Sequence, residues 1–302
     1  MAFRRTLKRA VGCTGIGLHS GRPVRLDLKP APAGHGLRFL RSDVGVEIPA
    51  SLAYLSRQDH ATTLSRDGVS VETVEHLLAA LYALAIDDAL IEVSGPEIPV
   101  LDGSAAPFVI LIHEAGTRPQ KEPRQYLKIT RPVEVVRGNK SARLLPSEHF
   151  EIRYTIGFEH PLLRHQEYET RITAETFVDE LAPARTFGFL RDVETMRRNG
   201  LALGGSLENA VVIGETGVLN NALRFEDEFA RHKAMDAVGD LALLGHPLLG
   251  RLEAVKAGHA LHAAVAQKLL ATPEAFELVE SPFRSGFDLQ PTPAPGLKPV
   301  RA

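Results

Sequence analysis

From Val24 to Lys29 the chain alternates strictly: Val24, Leu26 and Leu28 are apolar, while Arg25, Asp27 and Lys29 are charged. That period of two predicts a strand with one buried face. Pro30 to Gly34 reads as a turn, Leu37 to Arg41 as a second strand, and Ala89 to Val93 as a third. Between them, Leu77, Leu78, Leu81, Leu84 and Ala85 recur at helical spacing, which predicts a helix over 72–85 with Thr73 as its N-cap. Ser104 is placed to cap a second helix that tolerates Pro107 in its first turn and ends at Gly116. Strand signals return from Tyr126 to about Tyr168. A helix follows over 189–199 with Gly200 just past its end, then a hairpin joining 211–213 to 218–219. A long helix over 226–244, a strand over 252–255 and a last helix over 262–270 complete the pattern.

The order strands, helix with a His, strand occurs in both halves. His76 precedes Ile91-Glu92-Val93 much as His232 precedes Leu252 to Val255, which points to duplication. Thr117 to Arg124 is polar, Pro-rich and without period, and reads as the boundary. The expected division is therefore 1–120, 121–280 and a Pro- and Gly-rich tail over 281–302.

A length of 302 residues suits two domains, and 44% apolar residues can fill a sizeable core. Lys and Arg (35) nearly balance Asp and Glu (37), and Trp is absent, so neither a nucleic-acid partner nor an aromatic stacking platform is expected. The lone Cys13 excludes an internal disulfide and every multi-cysteine zinc motif, and suits a reducing compartment. The N-terminus is basic without an apolar signal region, and the longest apolar run, Leu77 to Ile86, is too short to span a bilayer. A cytoplasmic monomer without a stable membrane anchor is the expectation.

The candidate chemistry centres on the 226–244 helix. His232, Asp236 and Asp240 are four residues apart and share a stripe with Phe225 and Phe229. A stripe with two Phe points inward, where a His and two carboxylates need a partner. Glu75-His76 from the first half, His232 with Asp236 from the second, and His259 at the end of the 252–255 strand form the strongest constellation. Two His and a carboxylate suit zinc with its fourth position open, the catalytic arrangement. Glu75, beside a ligand, suits a proton acceptor. The plainer alternatives are a helix-capping or core His76 and a solvated His232–Asp236 pair. No H-E-x-x-H occurs. Gly12 to Gly21 matches neither phosphate-loop pattern and reads as a tight loop from which His19 can reach a ligand. Arg185-Thr186-Phe187 reads as the approach to a helix that offers a hydroxyl to an oxyanion. Leu101-Asp102-Gly103-Ser104 and Gly204-Gly205-Ser206 read as turns.

Several stretches together resemble the zinc-dependent UDP-3-O-acyl-N-acetylglucosamine deacetylases of lipid A biosynthesis. They are Gly15 to Gly21, Thr73 to Leu81, Pro99 to Phe108, Ala184 to Phe189, Leu203 to Ser206, Leu223 to Lys233 and Lys256 to Leu261, in family order from about Arg5 to Leu270. The resemblance implies an α+β fold of two similar domains, each a sheet layered against helices, with the helices packed between the two sheets. It implies one small insert per domain, the second near 193–221, and an apolar passage beside it for the acyl chain. It implies His76, His232 and Asp236 as ligands of Zn2+, Glu75 as general base and His259 as general acid. Asp240 would hold His259, and Thr186 would bind the oxyanion. Lys233 and Lys256 would meet the diphosphate of the UDP-3-O-acyl-N-acetylglucosamine substrate, Phe158 would stack near the uracil, and Phe187 and His19 would complete the substrate contacts. His60, where an apolar residue is expected, and His262, where Asn is common, depart from the family. A zinc amide hydrolase for another N-acylated sugar, or a binding protein without catalysis, would share these ligands; the pairing of Glu75 with His259 argues against the binder.

Overall fold

The structure, a computed structural model, describes residues 2–220 and 222–280. Two principal sheets divide along the sequence. A five-stranded sheet takes the order Val11–Ile16, Pro23–Pro30, Ala89–Val93, Leu37–Arg41, Val46–Pro49. Its Leu37–Arg41 and Ala89–Val93 strands run parallel, so a crossover must join them; that crossover carries α1 (Glu75–Ala83). A seven-stranded sheet is built from residues 125–280. Its central strand Leu248–Val255 runs antiparallel to Lys140–Leu145 on one side and parallel to Phe150–Ile156 on the other. Phe150, Ile152, Tyr154 and Ile156 are buried while the residues between them are not, so one face of that sheet meets the core.

The remaining helices are α2 (Ala106–Ala115), the single turn α3 (Ala174–Thr176), α4 (Leu190–Arg198), α5 (Glu228–Leu241) and α6 (His259–Leu270). α2 packs on the first sheet, α5 and α6 on the second, and α1 lies against α5. α1, α2, α5 and α6 thus form the middle layer of an α+β fold. α1 is buried nearly all round, with Leu77, Leu78, Ala79, Ala80 and Leu81 at zero exposure. Each such leucine contributes roughly 1.5–3 kcal/mol of transfer free energy, and the two alanines let neighbouring backbones approach.

Several expectations change. Thr117–Pro123 is a strand, paired antiparallel with Phe3–Leu7. Its prolines and charges hide the alternation, because the ribbon is largely solvated. Thr73 does not cap α1: its backbone is left-handed (φ 58°), Val74 occupies the cap position, and no side chain satisfies it. Gly12 to Gly21 is not one loop, since Val11–Ile16 is an edge strand of the first sheet. His259 does not end a strand; it opens α6, three residues before the expected start. Phe225 precedes α5 and is only half-buried, stacked by Arg231, whereas Phe229 is fully buried. Val211–Ile213 does reach Val218 by one antiparallel bridge, but its main partner is Phe187–Phe189, in parallel. The 281–302 tail lies outside the described residues.

The tightest contact in the layer is between α1 and α5. A Cβ built at Gly239 would lie 2.0 Å from the Glu75 carbonyl oxygen, which belongs to backbone that cannot swing aside. Gly239→Ala should therefore force the two helices apart and destabilise the fold by at least the roughly 1–3 kcal/mol typical of overpacking. Urea denaturation would show this as a lower midpoint; a midpoint equal to that of the native chain would mean the helices have slack.

Candidate active site

At the α1–α5 seam, His76 and His232 bring their rings edge to face, 5.0 Å apart. Asp236, one turn along α5 from His232, places its Oδ1 3.4 Å from the Nε2 of each imidazole. The three side chains are buried. At 3.4 Å these pairs exceed a good hydrogen bond, and Asp236 Oδ1 has no hydrogen-bond partner among the described residues. Tetrahedral zinc with bonds of about 2.0–2.1 Å holds its ligand atoms about 3.4 Å apart. An orphaned carboxylate oxygen between two imidazole nitrogens at that spacing fits one divalent cation of the zinc class. His232 is prepared for it: burial pushes its pKa down to about 3, so the ring is neutral. Its Nδ1–H donates to the Ala184 carbonyl at 3.1 Å, which leaves the Nε2 lone pair facing inward.

The other Asp236 oxygen, Oδ2, accepts from Lys233 Nζ at 2.7 Å. Burial opposes both charges, but each supports the other: the Lys233 pKa is raised and the Asp236 carboxyl is held well below its usual range, with the nearby His259 cation also contributing. Lys233 therefore faces the cleft while already paired within the site.

Asp240 lies one further turn along α5 and serves a separate cluster. Its Oδ2 accepts from His259 Nδ1 at 2.8 Å and from His262 Nδ1 at 2.7 Å, and its Oδ1 accepts from the Thr62 hydroxyl. The neutral-ring nitrogen of His262, Nε2, takes a hydrogen bond of 2.9 Å from the Tyr154 hydroxyl, which burial keeps protonated. Burial would lower the His259 pKa, yet the Asp240 carboxylate outweighs it and raises the ring to about 9. His259 is thus a cation at neutral pH, with Nε2 3.9 Å from Asp236 Oδ2. Glu75, in the first turn of α1, is buried, and burial raises its pKa against the pull of His259 and His76. Its Oε2 accepts from the Thr62 backbone N–H at 3.0 Å.

A cleft of about 1190 Å³ opens onto these groups. His232, Lys233 and His259 line it, as do Thr186, Phe187, Lys256, Phe158 and His19. Thr186 is fixed by its N–H to the Gly103 carbonyl (2.8 Å), across from the first half. The preceding Arg185 is clamped by Glu228, which has no exposed surface and accepts from the Arg185 N–H and Nε at 3.0 and 2.8 Å. Phe187 packs on Phe229 and against the edge of Phe158, which is 37% exposed. Lys256 has a left-handed backbone (φ 48°) and runs over Gly157, where a Cβ would meet its Cε at 2.7 Å. His19 Nε2 is buried without a partner among the described residues. Sequence reasoning missed Thr62, Tyr154, Glu97 and Glu228. The role of His262 was within reach, since it stands at i+3 from His259 on one helical face.

A family model for UDP-3-O-acyl N-acetylglycosamine deacetylase matches residues 4–271. The chain belongs to that family. A UDP-3-O-acyl-N-acetylglucosamine deacetylase of Anaeromyxobacter dehalogenans (strain 2CP-C) is 50% identical over 277 residues, covering 91% of this chain and 90% of that protein. One from Myxococcus xanthus (strain DK1622) is 50% identical over 279 residues, covering 91% and 89%. One from Pseudomonas entomophila (strain L48) is 48% identical over 284 residues, covering 92% and 94%. Family membership sits with the α+β fold and the buried His–Asp groups. No helix among the described residues is long and apolar enough to cross a membrane.

Two groups could in principle hold a cation: His76, His232 and Asp236, or Asp240, His259 and His262. The second group is satisfied by its own hydrogen bonds, so the first is the expected site. His76→Ala and Asp236→Ala should lose metal by more than the roughly 10–100-fold that loss of an outer partner costs, while Asp240→Asn should keep it. Elemental analysis after gel filtration reads this, and stoichiometric metal in His76→Ala or Asp236→Ala would refute the assignment.

Proposed function

We propose that the chain hydrolyses the N-acetyl group of UDP-3-O-(3-hydroxyacyl)-N-acetylglucosamine in a zinc-dependent reaction that releases acetate and the free amine, the deacetylation step of lipid A biosynthesis. The observation that carries this reading is the orphaned Asp236 Oδ1 between His76 and His232, flanked by a base and an acid, in a chain that matches the deacetylase family over residues 4–271. In this reading 1–120 and 121–280 are the two domains, with the insert near 193–221, and the location is the cytoplasm, in keeping with a single cysteine.

His76, His232 and Asp236 would hold the cation. When bound, a zinc ion supplies a Lewis acid that polarises the amide carbonyl and makes water acidic near neutral pH. Glu75 takes the proton from the attacking water on its carboxylate; burial makes it a stronger base than an exposed carboxylate. The water oxygen bonds to the acetyl carbon, and the Thr186 hydroxyl donates to the developing oxyanion. The C–N bond then breaks, and His259 gives its Nε2 proton to the leaving nitrogen. Asp240 keeps His259 charged and aimed, and His262, held by Tyr154, keeps Asp240 in place. Lys256 meets the diphosphate from the rim, with Lys233 deeper on the same wall. Phe158, Phe187 and His19 line the approach, and an apolar passage beside the insert takes the acyl chain.

Glu75→Ala should retain metal and lose activity by roughly 10²–10⁴-fold, the range for a positioned proton-transfer group. Acetate release from the UDP-sugar measures it, and an unchanged rate would remove Glu75 from the mechanism. The pH profile should be bell-shaped. Activity rises as pH climbs through the raised pKa of Glu75, because the base must be ionised. It falls as pH passes about 9, where His259 gives up its proton. A flat profile between about pH 5 and 10 would contradict the pairing of base and acid.

A further inference from the structure

The turn at 17–21 in the first half is the seat of the second half's insert. Leu203 N–H donates to the His19 carbonyl at 3.1 Å, and Gly204 N–H to the Leu18 carbonyl at 3.0 Å. The two backbones are in direct contact: a Cβ built at Gly204 would lie 2.2 Å from the Gly17 carbonyl oxygen. One buried side chain holds that turn from beneath. Glu97 is 1% exposed, and three donors converge on its carboxylate. Oε1 accepts from His19 N–H at 2.8 Å and from the Thr73 hydroxyl at 3.0 Å; Oε2 accepts from Ser20 N–H at 2.8 Å. Successive backbone N–H groups form a cradle for negative charge, and a carboxylate, an acceptor at both oxygens, can receive all three donors. Thr73 is the residue whose left-handed backbone launches α1, just ahead of Glu75 and His76. The chain around Glu97 is tied to the same segment, through Glu72 N–H to the Pro96 carbonyl and Ile98 N–H to the Glu72 carbonyl.

We propose that Glu97 is a positioning residue: by pinning the turn at 17–21 and the start of α1 to one carboxylate, it fixes the second half's insert against the catalytic helix and holds the acyl passage in register with the reacting centre. The acyl-passage part rests on the function proposed above; the seat itself does not. The insert belongs to the second half, but its position is set by the first. A shift of its seat moves the acyl chain relative to the acetamido group without touching a metal ligand. A misplacement of about 1 Å can cost on the order of 10²-fold in rate.

The test uses the full chain as the native protein, Gly204→Ala, Glu97→Gln and Glu97→Asp. Gly204 does not have a left-handed φ, so alanine is allowed there and the added methyl contact is the only change. Glu97→Gln turns an amide donor against one of the N–H groups; Glu97→Asp keeps the charge but draws it back by a methylene, and stands in if the glutamine variant fails to fold. Hydrogen exchange should show the Leu203 and Gly204 amides protected in the native protein and exposed in the variants, with α5 unchanged throughout and α1 unchanged in Gly204→Ala, which leaves the tie from Thr73 to Glu97 intact. Acetate release should be compared on the UDP-sugar with a long 3-hydroxyacyl chain and on the same sugar without it. The preference in kcat/KM for the long chain over the chain-free sugar should fall by about tenfold or more, with metal content unchanged. Native-like exchange in Gly204→Ala and in the folded Glu97 variants would overturn the seat. Lost protection with an unaltered chain-length preference would overturn its control of the acyl passage. A native protein that releases acetate from neither sugar would refute the proposed function instead, and the exchange result would still decide the seat.

Discussion

The site depends on one backbone contact. Gly239 of α5 lies against the carbonyl of Glu75 at the start of α1, with no room for a side chain between them. The helix that carries His232 and Asp236 comes from one half of the chain, and the helix that carries Glu75 and His76 from the other. At an ordinary interhelical distance of 8–10 Å, side chains as short as Asp and His would have to reach further to converge. The close approach brings three ligand atoms within one cation's reach, and the buried alanines and leucines of α1 supply the apolar contact that holds the helices there.

The same burial makes the charges interdependent. Glu75, Asp236 and Asp240 are all nearly inaccessible, and an unpaired carboxylate in such a place would protonate. Asp240 stays ionised because two imidazole N–H groups and a hydroxyl point at it. Asp236 stays ionised because Lys233 covers one oxygen and the charged His259 ring stands 3.9 Å from it. Glu75 receives a backbone N–H but is left the most basic of the three. Three carboxylates in one layer are thereby given different environments, each by its immediate partners, which suits them to the proposed roles of ligand, orienting anion and base.

Much of this was legible in the sequence. The strand at 24–29 was set by its period of two, and the α5 stripe drew notice because His and Asp at i, i+4 share a face with Phe229. That Asp240 pairs with His259 was also readable, since it lies a full turn beyond Asp236. What stayed hidden depends on contacts between distant segments. Thr62 and Tyr154 carry no local pattern, and each acquires its role only from what lies across the core. Thr73 looks like an N-cap because the local rule cannot see Glu97, which accepts a hydrogen bond from its hydroxyl, while the Thr73 backbone itself is left-handed. The Thr117–Pro123 strand resembles a linker in sequence because a solvated two-stranded ribbon needs no apolar alternation.

The central claim is that a single cation is held across the seam by His76, His232 and Asp236. Diffraction at the zinc absorption edge from crystals of the metal-loaded protein tests it most directly. The expected result is one anomalous peak within bonding distance of His76 Nε2, His232 Nε2 and Asp236 Oδ1. A peak instead at the Asp240, His259 and His262 cluster, or none at the seam in crystals shown to contain the metal, would contradict it.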